Sequence, residues 1–513
     1  MMRKFVRNIL LVVILTKGFV LFGQGERLGS PNIIIIISDD HTRQAISAYG
    51  STIALTPNID RIAENGFVFN NAYINNSICG PSRAGLLTGK YSHKNGYKDN
   101  ENSSYDSNQD QFVNHLQKAG YQTAWIGKYH LGHNPKGFDF WEILPGQGHY
   151  YNPDFIQMDG KTIRKEGYVS DLIEDTAEKW ISERDKDQPF CLIVGHKATH
   201  RTWMPDIQDL RKYDDVVFPI PETFYDSYQG RKAAQVQDMT IRNTMQMSYD
   251  LKMYSEDTKD GNITRMNDNQ RKDFLGYYNG LKDSLELHKF EGDQLTEWKF
   301  QRYMRDYLAT ATSLDRNIGR LLDYIESEGL KDNTIVIYLS DQGFYLGEHG
   351  WFDKRFMYEE SFSTPMLMYY PGNQKKGTTQ LNQMVMNIDI GPTLLEAAGL
   401  KVPSSMQGSS FLPIVEKPNV KGRAALYYHY YENGEHSVSP HFGIKTARFK
   451  LIRFYKRVES WELFDLENDP NELNNLYENR EYKGTIKLMK RKLKKLLQTY
   501  EDEQALEILN RKL

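Results

Sequence analysis

The stretch Ile33-Ile34-Ile35-Ile36-Ile37-Ser38-Asp39-Asp40 sets five consecutive isoleucines directly against a hydroxyl and two carboxylates. A β-branched run without polar alternation predicts a strand covered on both faces, the mark of a parallel sheet flanked by helices. Three more apolar runs have the same form. Thr123–Ile126 leads to Gly127-Lys128-Tyr129-His130, Phe190–Val194 to Gly195-His196-Lys197-Ala198-Thr199-His200, and Thr334–Leu339 to Ser340-Asp341-Gln342-Gly343. Ligands of open α/β sheets gather beyond the carboxyl ends of the strands. Four strands thus deliver carboxylates, an amide, a lysine and histidines to one edge. Tyr307, Leu314, Ile318, Leu321 and Ile325 fall at helical spacing within Tyr303–Leu330, with Gly329 as a stop. The fold class is α/β: a mostly parallel sheet sandwiched by helices, with a smaller antiparallel sheet plus helix at the C-terminus.

The 513 residues, 39% hydrophobic and 26% charged, suffice for a large core and exclude a disordered or fibrous chain. Lys plus Arg number 64 and Asp plus Glu 67, a net charge of −3, so there is no global basic field and no nucleic-acid partner is expected. Two cysteines, Cys79 and Cys191, exclude a disulfide framework. Arg3, Lys4 and Arg7 precede the apolar run Ile9–Thr16, and small residues follow around Gly23–Gly25. This predicts a signal peptide over residues 1–24 and secretion to a periplasm-like space. Lys17 interrupts the apolar stretch, so no stable membrane span is expected.

Residues 28–418 form the N-terminal domain that carries the four strand ends. Within it, residues 206–296 are polar and rich in Tyr, Met, Asp and Asn, and read as an extended insertion shaping a pocket rim. The character changes in residues 419–513, a C-terminal subdomain. There Arg423–Tyr431, Phe442–Tyr455 and Trp461–Asp465 look like antiparallel strands, and a basic helix, Tyr482–Tyr500, closes the chain. Leu488, Leu493, Leu496 and Leu497 predict its core-facing stripe, with the lysines as a solvated face.

Asp39, Asp40 and Asp341 offer oxygen ligands to a hard divalent cation, and Gln342 adds an amide oxygen. Such a set favours Ca²⁺ or Mg²⁺ over zinc. The competing reading is that Asp-Asp and Asp-Gln only cap turns. The most specific stretch is Ser77-Ile78-Cys79-Gly80-Pro81-Ser82-Arg83-Ala84-Gly85-Leu86-Leu87-Thr88-Gly89. A cysteine there precedes Ser82, Arg83 and a helix-compatible segment, and a helix N-terminus beside an arginine is a natural anion site.

On these residues the sequence resembles the type I, formylglycine-dependent sulfatases of the alkaline phosphatase superfamily. Cys79-Gly80-Pro81-Ser82-Arg83 matches the Cys-x-Pro-Ser-Arg signature, continued by Leu87-Thr88-Gly89. Asn387-Ile388-Asp389 before Pro392-Thr393-Leu394, and Glu462-Leu463-Phe464-Asp465-Leu466, extend the resemblance over nearly the whole chain. It implies that a formylglycine-generating enzyme oxidises Cys79 to formylglycine (3-oxoalanine), whose hydrate is the nucleophile. Asp39, Asp40, Asp341, Gln342 and the modified residue 79 would bind Ca²⁺, ahead of Mg²⁺. Arg83 would hold the hydrate, Lys128, Lys354 and His200 would contact the sulfate, and His130 would help remove the proton that collapses the sulfated intermediate. His200 fits the strand-end histidine better than His196. The fourth metal position is often Asn or His in the family, so Gln342 is a departure bearing on ligand geometry.

The stretch Gly343–Glu359, with Trp141–Gly148 and Tyr427–Glu432, looks like the version in N-acetylglucosamine-6-sulfatases. The implied substrate is a sulfated mono- or oligosaccharide of glycosaminoglycan origin, carrying 6-O-sulfate on N-acetylglucosamine. Asp353 and Arg355, which flank Lys354, are candidate sugar contacts, with a structural ion pair as the alternative; His429, His436 or His441 are candidates from the C-terminal subdomain, with a purely structural role as the competing reading. Other readings are a sulfatase for 2-O-sulfated uronate or sulfated galactose, a phosphonate or phosphate ester hydrolase of the same superfamily, and a sugar-binding protein with a decayed site.

Overall fold

Asn32–Ser38 lies at the centre of a ten-stranded sheet in this computed structural model, which describes residues 29–255, 257–373 and 377–511. The signal peptide expected over 1–24 lies outside the described residues. From one edge the strand order is Thr379–Leu381, Phe67–Phe69, Met366–Tyr369, Thr334–Ser340, Asn32–Ser38, Phe190–Gly195, Gln122–Lys128, Phe140–Leu144, Asp154–Gln157 and Thr162–Arg164. The inner five, from Thr334–Ser340 to Phe140–Leu144, run parallel, and antiparallel strands flank them. Their registers pair Ser38 with Ser340 and Gly127 with Gly195, so the residues that follow emerge together at one edge.

The five isoleucines explain the centre. Ile33, Ile35 and Ile37 join one core cluster and Ile34 and Ile36 another, on opposite faces of the sheet. Gly292–Ser327, a 36-residue helix, packs on the second face through Leu314, Ile318, Leu321 and Ile325. It begins earlier than the Tyr303 expected, inside the segment read as an insertion. Within that segment Asp268–His288 is a 21-residue helix with an Asn267/Gln270 capping box. The helix buries Phe274, Tyr277 and Tyr278, which the polar average of the segment conceals.

Leu426–Tyr430, His441–Lys445, Phe449–Phe454 and Ser460–Asp465 form the smaller antiparallel sheet, and Lys483–Tyr500 packs on it. Met489, Leu493 and Leu497 face the core, while Leu488 is 39% exposed. Leu493 and Leu497 take the expected places, Leu496 packs half-buried on the same cluster, and Met489 stands in for Leu488. Among the described residues no helix is long and apolar enough to cross a membrane.

Candidate active site

Cys79 is the first residue of the helix Cys79–Thr88, every residue of which is buried. Two devices seat it. Ser82 Oγ donates to the Asp341 carbonyl, which ties the helix to the end of Thr334–Ser340. Asn387 Nδ2 donates to Asn75 Oδ1 at 2.8 Å and to the Ser82 carbonyl at 3.0 Å, while Asp389 accepts from Met386 N–H and Ser409 N–H and pairs with Arg423. The Asn387-Ile388-Asp389 motif thus braces the cysteine helix from behind.

The four strand ends converge in front of Cys79. One carboxylate oxygen from each of Asp39, Asp40 and Asp341 lies within 4.8 Å of the others, and the same spacing joins Asp39, Cys79 Sγ and a ring nitrogen of His200. Gln342 Nε2 is 3.7 Å from Cys79 Sγ and donates to Asp40 Oδ1 at 2.5 Å. Asp39 Oδ1 and Gln342 Oε1 are buried without a hydrogen-bond partner. Orphaned buried acceptors beside crowded carboxylates are the donor set a hard divalent cation takes, so these residues fit one. The crowding shows in the protonation equilibria. Burial pushes Asp40 up to about 6, and burial with the Asp39 charge pushes Asp341 up to about 7.

Cationic groups close the ring. Lys128 is ion-paired with Asp39, and Lys354 Nζ lies 2.8 Å from Asp40 Oδ2. Burial opposes the Lys354 charge, yet Asp40, Cys79 and Asp353 hold its ammonium well above the usual lysine range. Arg83 Nε and Nη2 both lie 2.9 Å from Asp341 Oδ2, and Nη1 donates to the Lys128 carbonyl at 2.6 Å. Close backbone approach makes this possible: a Cβ on Gly195 would lie 2.3 Å from that carbonyl oxygen and 3.2 Å from Arg83 Nη1. Burial lowers the pKa of both His130 and His200 well below the usual histidine range, so both rings are neutral at pH 7. His130 Nδ1 is buried without a partner. The Cys79 thiol is pushed up to about 12 by burial, so the unmodified side chain is a thiol.

The site therefore gathers Asp39, Asp40, Cys79, Arg83, Lys128, His130, His200, Asp341, Gln342 and Lys354. His196 is turned away, 3.0 Å from the buried Glu174. Asp353 and Arg355 are buried beside Lys354, 3.7 Å apart, and each has a nearer partner in the C-terminal part of the chain. Asp353 Oδ2 is 2.8 Å from His436 Nε2, and Arg355 Nη1 is 2.6 Å from Glu432. The insertion reaches this corner as well, because Asp238 N–H donates to the His436 carbonyl at 2.6 Å.

His429 does not belong to the site. Its Nδ1 is 2.8 Å from Asp502 and its Nε2 2.8 Å from Tyr455 Oη, so both nitrogens are engaged in a buried network. The reason is strand alternation: Tyr427, His429 and Tyr431 point to Asp502, while Tyr428 and Tyr430 point the other way, to Arg355. Sequence reading missed Tyr430 and Glu432, which the same alternation would have found. It also missed Gln147, hydrogen-bonded to Lys128, and Lys197, buried over the Tyr150 ring.

An acidic pocket fit for a divalent cation, at the C-terminal edge of a parallel sheet, facing a helix N-terminus and ringed by lysines, has the parts that metal-assisted hydrolysis of a tetrahedral anionic ester requires. The chain belongs to the sulfatase family, a sulfuric ester hydrolase: the sulfatase family model matches residues 31–400, and a second model, N-sulphoglucosamine sulphohydrolase, C-terminal, matches 347–499. It is 46% identical over 495 residues to the N-acetylglucosamine-6-O-sulfatase of Bacteroides thetaiotaomicron, covering 93% of this chain and 88% of that one. It is 30% identical to an arylsulfatase of Clostridium perfringens, over 92% and 95% of the two chains. Among solved structures it is similar to BT4656 in complex with its substrate D-glucosamine-2-N,6-O-disulfate, with a TM-score of 0.90 and 44% identity over 94% of this chain and 100% of that one.

Proposed function

We propose that the protein is a carbohydrate sulfatase that hydrolyses the 6-O-sulfate of N-acetylglucosamine or a related glucosamine in glycosaminoglycan fragments. The observation that carries this reading is the placement of Lys354, Asp353 and Arg355 at one corner of the Cys79 pocket, together with 46% identity to an N-acetylglucosamine-6-O-sulfatase. Asp39, Asp40, Asp341, Gln342 and residue 79 would hold the cation, Ca²⁺ in this reading, which neutralises charge on the sulfate when bound. Residue 79, after oxidation to formylglycine by a formylglycine-generating enzyme, supplies the nucleophile.

The chain's own residues do the rest. Lys128 and Lys354 draw the sulfate oxygens between them, and His200 contacts the same group from the third side. Arg83 fixes Asp341 and the Lys128 carbonyl, which keeps residue 79 and the lysines in one frame. Neutral His130, with Nδ1 free of protein partners, accepts a proton at that atom. Asp353 and Arg355 bind hydroxyls of the sugar next to the scissile ester. The basic, apolar leader at residues 1–24 supports export to a periplasmic or external space, where sulfated glycans are met.

The test is sulfate release from N-acetylglucosamine-6-sulfate by protein co-produced with a formylglycine-generating enzyme, with 2-O-sulfated uronate and sulfated galactose as controls. Conversion of residue 79 is checked by mass on the tryptic peptide 62–83. Selective release from the 6-sulfated sugar, lost in Cys79→Ala, is expected. No release from a fully converted enzyme would overturn the substrate assignment.

A further inference from the structure

The helix Lys483–Tyr500 carries seven basic side chains and no acidic one, in a chain whose net charge is −3. Lys483, Lys487, Arg491, Lys492, Lys494 and Lys495 are exposed, and none forms an ion pair with a carboxylate among the described residues. Lys487, Lys490, Arg491 and Lys494 fall at i, i+3, i+4 and i+7, so they share one face. That face is concave. With Gly484, Leu488, Leu509 and Asn510 it lines an open groove of about 570 Å³ between this helix and Glu503–Asn510. The acids of the second helix do not line the groove, and Glu507 is tied to Arg511 at 2.7 Å. Unneutralised like charge on one face costs stability through self-repulsion, and an anionic ligand relieves it.

We propose that this groove is a second binding site, separate from the Cys79 pocket, for the sulfated polysaccharide from which the substrate is drawn. The inference rests on the proposed function for the identity of the glycan. The chemistry of the lining fits such a chain: cations on the rim meet sulfates and carboxylates, and Leu488 and Leu509 offer apolar contact to sugar ring faces. A membrane surface fits less well. The apolar stripe of Met489, Leu493 and Leu497 is buried against the small sheet, so the helix has no free hydrophobic face to insert. Binding here holds a polymer on the enzyme between turnovers and raises the local concentration of its ends.

The test uses the full chain with Cys79→Ala, its catalytic pocket filled with excess N-acetylglucosamine-6-sulfate. Binding of a sulfated glucosamine–uronate octasaccharide is measured by calorimetry, with and without Lys487→Glu/Arg491→Glu/Lys494→Glu. The expected result is a loss of about tenfold or more in affinity in the triple variant, with wild-type binding weakening steeply as salt rises. In the Cys79-containing, matured enzyme the same three changes should raise KM on the polymer and leave monosaccharide turnover unchanged. Equal octasaccharide affinity with and without the changes overturns the proposal. Tighter binding to vesicles of one part phosphatidylglycerol to three parts phosphatidylcholine overturns it too, in favour of a membrane surface. Should the reversal misfold, the glutamine triple variant carries the same comparison. Absence of monosaccharide turnover in the wild type would count against the proposed function and leaves the binding result to stand by itself.

Discussion

Arg355 Nη1 lies 2.6 Å from Glu432, with both side chains buried, so a residue just beyond the strand Leu426–Tyr430 sets the position of a residue beside Lys354, the partner of Asp40. Removing one partner of a buried ion pair strands the other charge and costs roughly 3–5 kcal/mol. Glu432→Ala is expected to lower kcat/KM on N-acetylglucosamine-6-sulfate by about tenfold or more, and to affect a small aryl sulfate less. Steady-state kinetics on the two substrates checks this. An equal loss on both would place Arg355 outside sugar recognition.

Three buried carboxylates within 4.8 Å of one another repel, and a bound divalent cation removes that repulsion. Chelation is therefore expected to lower the melting temperature, and Ca²⁺ to restore it. A cation at 100 times its Kd contributes about 2.7 kcal/mol to stability. Asp341→Ala should abolish the Ca²⁺-dependent shift in a thermal melt whether or not residue 79 is matured. A full shift in that variant would place the cation elsewhere.

Glu462 offers a pH test remote from the chemistry. Burial pushes its carboxyl from 4.5 up to about 8, and Tyr358 Oη donates to it at 2.8 Å. The folded protein then holds this proton more tightly than the unfolded chain does. Stability falls as pH rises from about 4.5 to about 8 and levels off above that. Glu462→Gln keeps the acceptor for Tyr358 and never ionises. Its melting temperature should pull ahead of the wild type's between pH 5 and pH 9, as a paired series of melts would show. A constant gap across that range would contradict the assignment.

Gly195 tests the packing beneath Lys128. Gly195→Ala would place a Cβ 2.3 Å from the Lys128 carbonyl oxygen, and the sheet has no room to yield. A cost of roughly 1–3 kcal/mol in stability is expected, with a fall in kcat because Arg83 donates to that carbonyl. Denaturant melts and single-turnover assays read the two effects separately.

Much of this was legible in the chain. Five isoleucines running into Ser38-Asp39-Asp40 specified a doubly covered strand and what stands at its end, because both follow from local pattern. The same holds for Lys128, His200, Asp341 and Gln342, each delivered by an apolar run whose direction is fixed by the parallel sheet. Cys79 and Arg83 declared themselves through a short, specific motif.

What local pattern could not decide was which face or partner a side chain takes. A histidine on an all-buried strand gives no sign of which side it occupies, and Asp502, 73 residues away, holds His429 in the structural role that competed with sugar binding. His196 and His200 differ by four positions, yet one pairs with Glu174 and the other meets Asp39. The mean polarity of residues 206–296 hides three buried aromatics on one helix face. The contacts of Glu432 with Arg355 and of His436 with Asp353 join segments about 80 residues apart. The sequence by itself determined the central strands, the acidic and basic residues at their ends and the cysteine motif, since each is written in a contiguous run of residues. The corner that would hold the sugar was decided only by tertiary structure, because it forms where two sheets meet and no short-range pattern encodes that meeting.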